Sequence, residues 1–194
     1  MRIIAGMYRS RVLEAPPGLS TRPTSDRLRE TLFNVLAPRM PKTVFLDLYA
    51  GSGAVGIEAI SRGAARVTFV EHAPAALKVL HRNLARLGIT SGFHVYAESV
   101  KTFLRSAAEA GPKPELHEVL FLDPPYDAAQ EYAATMEQLG HSNAGILAPG
   151  AVVVAEHRRK QALEERYGSL KRTRLLEQGD AALSFYAMST ESAG

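Results

Sequence analysis

The chain has 194 residues, 46% of them apolar and 22% charged, which suits one folded domain with a full core rather than a disordered or fibrous chain. It has no cysteine, so disulfides and thiolate metal sites are excluded, and no apolar run approaches the roughly 18–20 residues of a membrane-spanning helix. The net charge is only +3, but 17 arginines against 6 lysines favour forked contacts to phosphate.

The opening Met1-Arg2-Ile3-Ile4-Ala5-Gly6 is too short in apolar run for a signal peptide, so a cytoplasmic protein is expected. Ile3-Ile4 and Val12-Leu13 flank Gly6–Arg9, and Pro16-Pro17-Gly18 follows. This predicts a hairpin with an arginine-bearing tip over residues 1–23. Residues 1–29 hold six arginines against two acids, Glu14 and Asp26. Of these, Arg2, Arg9, Arg11, Arg22 and Arg27, together with Thr24, are the expected contacts to a polyanion. Thr24 or Ser25 can cap a helix, with Asp26 in its positive first turn. Leu28, Leu32, Val35 and Leu36 share one face of it, and Pro38 and Pro41 end it.

From residue 43 strand and helix alternate. Strands are predicted at Val44–Tyr49, Arg66–Val70, Phe93–Tyr96, Glu118–Leu122 and Ala151–Ala155. Helices are predicted at 54–62, from Pro74 to about Leu87 with Gly88 as the stop, and at 100–110, 128–139 and 159–167. Residues 169–176 and 181–188 read as a closing antiparallel pair around Gly179-Asp180. Such alternation predicts an α/β fold, a mostly parallel sheet with helices on both faces. Residues 24–188 form the main domain on this reading, and 189–194 a disordered tail.

Ligands of doubly wound sheets bind beyond the carboxyl ends of the strands. Asp47-Leu48-Tyr49-Ala50-Gly51-Ser52-Gly53 lies there after the first core strand, with glycines that allow a sharp turn and close backbone approach. Glu71 ends the next strand and can accept both hydroxyls of a ribose, with His72 beside it. Glu98, Ser99 and Val100 follow the third strand, where an adenine would lie. Gly51-Ser-Gly53-Ala-Val-Gly56 also spells the dinucleotide fingerprint, which admits an NAD-dependent dehydrogenase. Against that, Asp47 has no evident role beside a pyrophosphate, whereas it suits the ammonium of S-adenosylmethionine.

Asp123-Pro124-Pro125-Tyr126 follows the apolar run Val119–Leu122. A carboxylate, a carbonyl on a proline-stiffened backbone and an aromatic plate are what a planar, amine-bearing base requires. Asp123 and the Pro124 carbonyl can each accept one amine hydrogen, aiming the nitrogen lone pair at a methyl donor. Tyr126 offers a ring for stacking. The six histidines show no metal spacing, and the chemistry requires no metal.

Arg22-Pro-Thr-Ser-Asp-Arg27, Arg29-Glu-Thr-Leu-Phe-Asn34, Leu46–Gly53, Glu58-Ala-Ile-Ser-Arg-Gly-Ala64 and Phe121–Tyr126, with the opening Met1–Gly6, resemble the RsmD family. Those are bacterial 16S rRNA (guanine(966)-N(2))-methyltransferases. The resemblance implies a class I S-adenosylmethionine-dependent methyltransferase, Rossmann-like with seven strands, acting on 16S rRNA in the 30S subunit or its assembly intermediate. It carries Asp47, Gly51, Gly53 and Glu71 over as cofactor-binding and Asp123 through Tyr126 as catalytic. Relatives usually have an acid or amide after the third strand where this chain has Ser99, so Glu98 and Ser99 both stand as partners of the adenine amine. A monomer is expected. The competing readings are an adenine-N6 methyltransferase on DNA or RNA and a non-catalytic RNA-binding assembly factor.

Overall fold

The computed structural model describes residues 1–15, 26–109, 115–125, 129–141 and 145–189. The chain divides into two compact units, residues 1–99 and 100–194. The expected Thr24 or Ser25 cap lies outside the described residues, as do Arg22, Tyr126 and residues 190–194 of the expected 189–194 tail.

The first unit opens with an arm folded back on itself. Arg2 and Val12 form an antiparallel bridge, and the Ile3 and Ser10 N–H groups donate to Arg11 and Ile3 carbonyls. Helix α1 (Asp26–Leu36) and a 3₁₀ turn (Ala37–Arg39) follow. Then come β1 (Val44–Leu48), α2 (Ala54–Ser61), β2 (Arg66–Val70), α3 (Pro74–Leu87) and β3 (Phe93–Tyr96). The strands run parallel in the order β3-β2-β1. Pro74 starts α3 at its first turn and Gly88, at φ 69°, ends it in a left-handed cap, as the sequence predicts. Gly56 lets α2 lie flat on β2, because a Cβ there would fall 2.2 Å from the Phe69 ring.

Helix α1 buries Leu28, Leu32 and Leu36 as expected, leaving Val35 only half-buried. It also buries Phe33 and the whole of Arg29. Helix α2 is buried almost all round, Glu58 included. These two charges meet through a dock for the arm. The Glu58 carboxylate accepts the N–H groups of Ile4 (2.8 Å) and Ala5 (3.0 Å) and the Arg62 Nε–H (2.7 Å), and it lies 3.7 Å from Arg29 Nε. Arg29 donates to the Arg2 carbonyl and to Asp26 (2.9 Å). Ser61 accepts the Tyr8 N–H (3.0 Å) and donates to the Ala5 carbonyl (2.6 Å). Gly6, at φ 84°, passes so close that a Cβ would overlap the Ser61 carbonyl. The Glu58–Ala64 stretch is thus the seat of the N-terminal arm.

The second unit comprises α4 (Val100–Glu109), β4 (His117–Leu122), α5 (Ala129–His141), β5 (Leu147–Arg158), β6 (Arg166–Tyr167), β7 (Leu170–Gln178) and β8 (Ala181–Met188). Its strand order is β4-β5-β8-β7-β6, with β4/β5 parallel and the other pairs antiparallel. The helix expected at 159–167 is not formed. Gln161 N–H closes a turn onto Arg158, and Arg166–Tyr167 pairs with β7 as a short strand. Carbonyls that a helix would use internally go elsewhere: Leu163 accepts from Arg172 and Glu164 from Tyr186. Tyr167 and Gly168 press so tightly on Gly140 that a Cβ there would lie 1.9 Å from the Tyr167 carbonyl. Strand β5 starts earlier than expected, and its pairing with β4 is irregular between His117↔Leu147 and Val119↔Val152. No helix among the described residues is long and apolar enough to cross a membrane.

Candidate cofactor and acceptor site

Strand β1 ends at Leu48, and the chain then turns through three left-handed residues. Tyr49 has φ 64°, Gly51 φ 55° and Gly53 φ 79°. Glycine tolerates this conformation. A tyrosine there is uncommon and signals a loop held in a specific shape. The shape is fixed by Ala50 N–H to the Val70 carbonyl (3.0 Å) and Gly53 N–H to the Ala50 carbonyl (2.7 Å). A Cβ on Gly51 would meet nothing nearer than 4.0 Å, so only backbone conformation requires glycine there. A Cβ on Gly53 would strike Leu80 at 2.2 Å.

Two carboxylates flank this loop. Asp47 is buried, and its Oδ2 accepts the Gly56 N–H of α2 at 2.8 Å. Its carboxyl is raised from 3.8 to about 7, chiefly by burial, with the Gly56 hydrogen bond opposing the rise and the nearby Glu71 charge adding to it. Its Oδ1 accepts no hydrogen bond among the described residues, which leaves a place for a cation. Glu71, also buried, staples the loop: Oε2 accepts Gly51 N–H (2.8 Å), and Oε1 accepts His72 (2.8 Å) and Ala73 (2.7 Å) N–H groups. It therefore shapes the loop, a role its position in sequence did not reveal. His72 has an exposed side chain 3.8 Å from Glu71. Glu98 and Ser99 are half-exposed after β3, and Val100 is buried at the start of α4. This donor set fits a ligand with an ammonium near Asp47 and a hydroxylated sugar near Glu71.

The raised Asp47 carboxyl makes a stability prediction. Below pH 3.8 it is protonated folded or unfolded and costs nothing. As pH rises toward 7 the unfolded chain releases the proton first, so stability falls, and it levels above 7. Asp47→Asn keeps an acceptor for Gly56 and is expected to stabilise the unliganded protein at pH 8, with a ceiling of about 4 kcal/mol. It should do little near pH 4. Urea unfolding at the two pH values checks this, and equal effects at both would contradict it.

In the second unit, β4 delivers Asp123, half-buried, Pro124, buried, and Pro125, exposed. Tyr132 of α5, unforeseen from sequence, underlies this turn. Its hydroxyl donates to the Glu156 carbonyl of β5 at 2.8 Å and stands 3.5 Å from the Pro124 carbonyl. Its one proton goes to the nearer oxygen. A tyrosine six residues past the tetrapeptide, at helical spacing from the buried Met136 and Leu139, was the available signal.

On the arm, Arg9 and Arg11 are exposed, as is Arg27 on α1, and none pairs with a carboxylate among the described residues. Arg2 is exposed too but lies 3.5 Å from Asp26. The basic runs His157–Lys160 and Lys171–Arg174 are partly structural. His157 is buried against Ser184, Arg159 pairs with Glu177, and Arg172 pairs with Glu165.

A family described as Conserved hypothetical protein 95 matches residues 1–187. A "Putative rRNA methyltransferase YlbH" of Bacillus subtilis is 36% identical over 188 residues, 96% of this chain and 98% of that one. A "Ribosomal RNA small subunit methyltransferase D" of Escherichia coli is 43% identical over 126 residues, 65% of this chain and 60% of that one. Among solved structures, a putative methyltransferase yhhF from Escherichia coli superposes with TM-score 0.83 at 33% identity, covering 98% and 99% of the two chains. The fold is that of the class I methyltransferases.

Proposed function

This chain belongs to the Conserved hypothetical protein 95 (RsmD) family, and from that premise we propose that it methylates the exocyclic N2 amine of one guanine in 16S rRNA, using S-adenosylmethionine. Methyl transfer to ribosomal RNA is the activity its relatives' names carry. The observation that carries the cofactor is the Asp47–Gly53 loop, with a left-handed tyrosine and a buried, half-engaged carboxylate. The cofactor supplies an electrophilic methyl on a sulfonium. Asp47 would hold its ammonium, Glu71 its ribose, and Glu98 or Ser99 with Val100 its adenine.

On the acceptor side, the lone pair of an exocyclic purine amine is delocalised into the ring. Asp123 and the Pro124 carbonyl would accept its two hydrogens, orient the lone pair and stabilise positive charge growing on nitrogen. Proton loss follows methylation. Because the Tyr132 hydroxyl gives its proton to the Glu156 carbonyl, the Pro124 carbonyl 3.5 Å away would keep its lone pairs for the base. Mass spectrometry of rRNA from a deletion strain tests the acceptor: loss of one N2-methylguanosine supports it, whereas loss of an N6-methyladenosine or an unaltered rRNA rejects it.

The target base must leave its stack, at a cost of a few kcal/mol. In this reading the exposed Arg9, Arg11 and Arg27 grip flanking phosphates, and Arg2, Arg22 and Thr24 are further proposed contacts. Arg9→Glu with Arg11→Glu is expected to weaken RNA binding and flatten its log–log salt slope by about 1.4–1.8, with cofactor affinity unchanged. Filter binding across a salt series measures this, and an unaltered slope would place the RNA elsewhere.

A further inference from the structure

Asn83 carries a role that neither the sequence pattern nor the family assigns. It lies on α3 among buried Val79, Leu80 and Leu84, and is itself 1% exposed. Its carboxamide is used on both ends. Oδ1 accepts the Glu14 N–H at 2.9 Å, and Nδ2 donates to the Glu14 carbonyl at 3.1 Å and the Ser52 carbonyl at 3.0 Å. The first two bonds mimic one rung of a strand ladder and fasten the end of the N-terminal arm. The third reaches Ser52, the residue between the left-handed Gly51 and Gly53. Only a side chain with two donors and an acceptor in one plane makes all three bonds. Outside this bridge, the Glu14 carboxylate holds Arg82 (3.1 Å) and Arg86 (2.7 Å) of the same helix, and Leu13 is buried.

We propose that Asn83 is a positioning residue that ties the N-terminal arm to the cofactor loop, so that order in the arm and affinity for S-adenosylmethionine are coupled. The inference rests on the functional reading above. The arm bears Arg9 and Arg11, so an RNA that orders the arm steadies Ser52, and a cofactor that orders the loop steadies the arm. By linkage the two effects are equal in size.

Asn83→Asp is the sharpest test, because it keeps the shape and the acceptor but sets a carboxylate against two carbonyl oxygens. Titration calorimetry with S-adenosylmethionine and amide hydrogen exchange at Leu13 and Glu14 are the readouts. In the wild type, cofactor slows exchange at Glu14. In the variant, cofactor Kd rises on the order of 10-fold, and the slowing disappears. The deficit shrinks as pH is lowered, since a protonated carboxyl regains one donor, a recovery that general loosening of the fold would not produce. If Asn83→Asp does not fold, Glu14→Pro compared with Glu14→Ala removes the one arm N–H, and a several-fold affinity loss confined to the proline variant is expected. Wild-type cofactor affinity kept within about twofold in the folded variant, with arm exchange indifferent to cofactor, overturns the coupling. A wild type that binds no S-adenosylmethionine sinks the functional reading itself.

Discussion

Asp123→Ala is expected to slow methyl transfer by roughly 10²–10³ in single turnover while leaving S-adenosylmethionine affinity within about twofold. Asp123 is the half-buried carboxylate that β4 carries to its end, fixed ahead of two prolines. The amine nitrogen becomes positively charged only as the new carbon–nitrogen bond forms. A carboxylate that accepts one of its hydrogens therefore stabilises the transition state more than the ground state. The loss should fall on the chemical step, with RNA affinity little altered. Asp123→Asn keeps one acceptor oxygen without the charge and should fall between wild type and alanine. Rapid-quench measurement on small-subunit particles separates the steps. A variant that transfers methyl at the wild-type rate would remove Asp123 from the reaction.

Glu58→Ala is expected to cost about 3–5 kcal/mol of stability, read from urea unfolding. Glu58 is wholly buried and faces Arg29, itself 0% exposed, and Arg62. Removing it leaves buried Arg29 with Asp26 as its carboxylate partner, deprives Arg62 of its 2.7 Å contact, and takes the acceptor from the Ile4 and Ala5 N–H groups. Glu58→Gln retains one oxygen and should lose less. Because the same carboxylate seats the arm, limited proteolysis should cut residues 1–13 faster in the alanine variant. A loss under about 1 kcal/mol would mean that the dock is ornamental to the fold.

The alternating strand and helix order was legible because each boundary had a local cause. Pro74 and Gly88 bracket α3, and β2 and β3 fall where their apolar runs lie. The antiparallel closing pair followed from Gly179-Asp180 between two strand-like runs. The glycine loop and the tetrapeptide were readable for the same reason, since their conformational demands are written in consecutive residues. What escaped depends on partners far along the chain. Arg29 sits on the face of α1 that Leu28, Leu32 and Leu36 define, yet an arginine alone reads as solvated surface. Its burial is compensated by Asp26, the Arg2 carbonyl and Glu58, partners that come together only in the fold. Asn83 likewise reads as an ordinary polar position until Glu14 and Ser52 meet around it. Residues 159–167 failed as a helix because tertiary contacts to Gly140 and Arg172 outweighed local propensity.

On the proposed reading, Asp47–Gly53 and Asp123–Tyr126 serve one reaction, methyl transfer from a sulfonium to a guanine amine. The most direct measurement supplies purified enzyme with S-adenosylmethionine labelled in its methyl group and 30S particles from a strain lacking the enzyme, then digests the RNA and identifies the labelled nucleoside. The expected result is one N2-methylguanosine per particle with wild type, and nearly none with either Asp47→Ala or Asp123→Ala. Label in adenosine, or undiminished transfer by either variant, would contradict it.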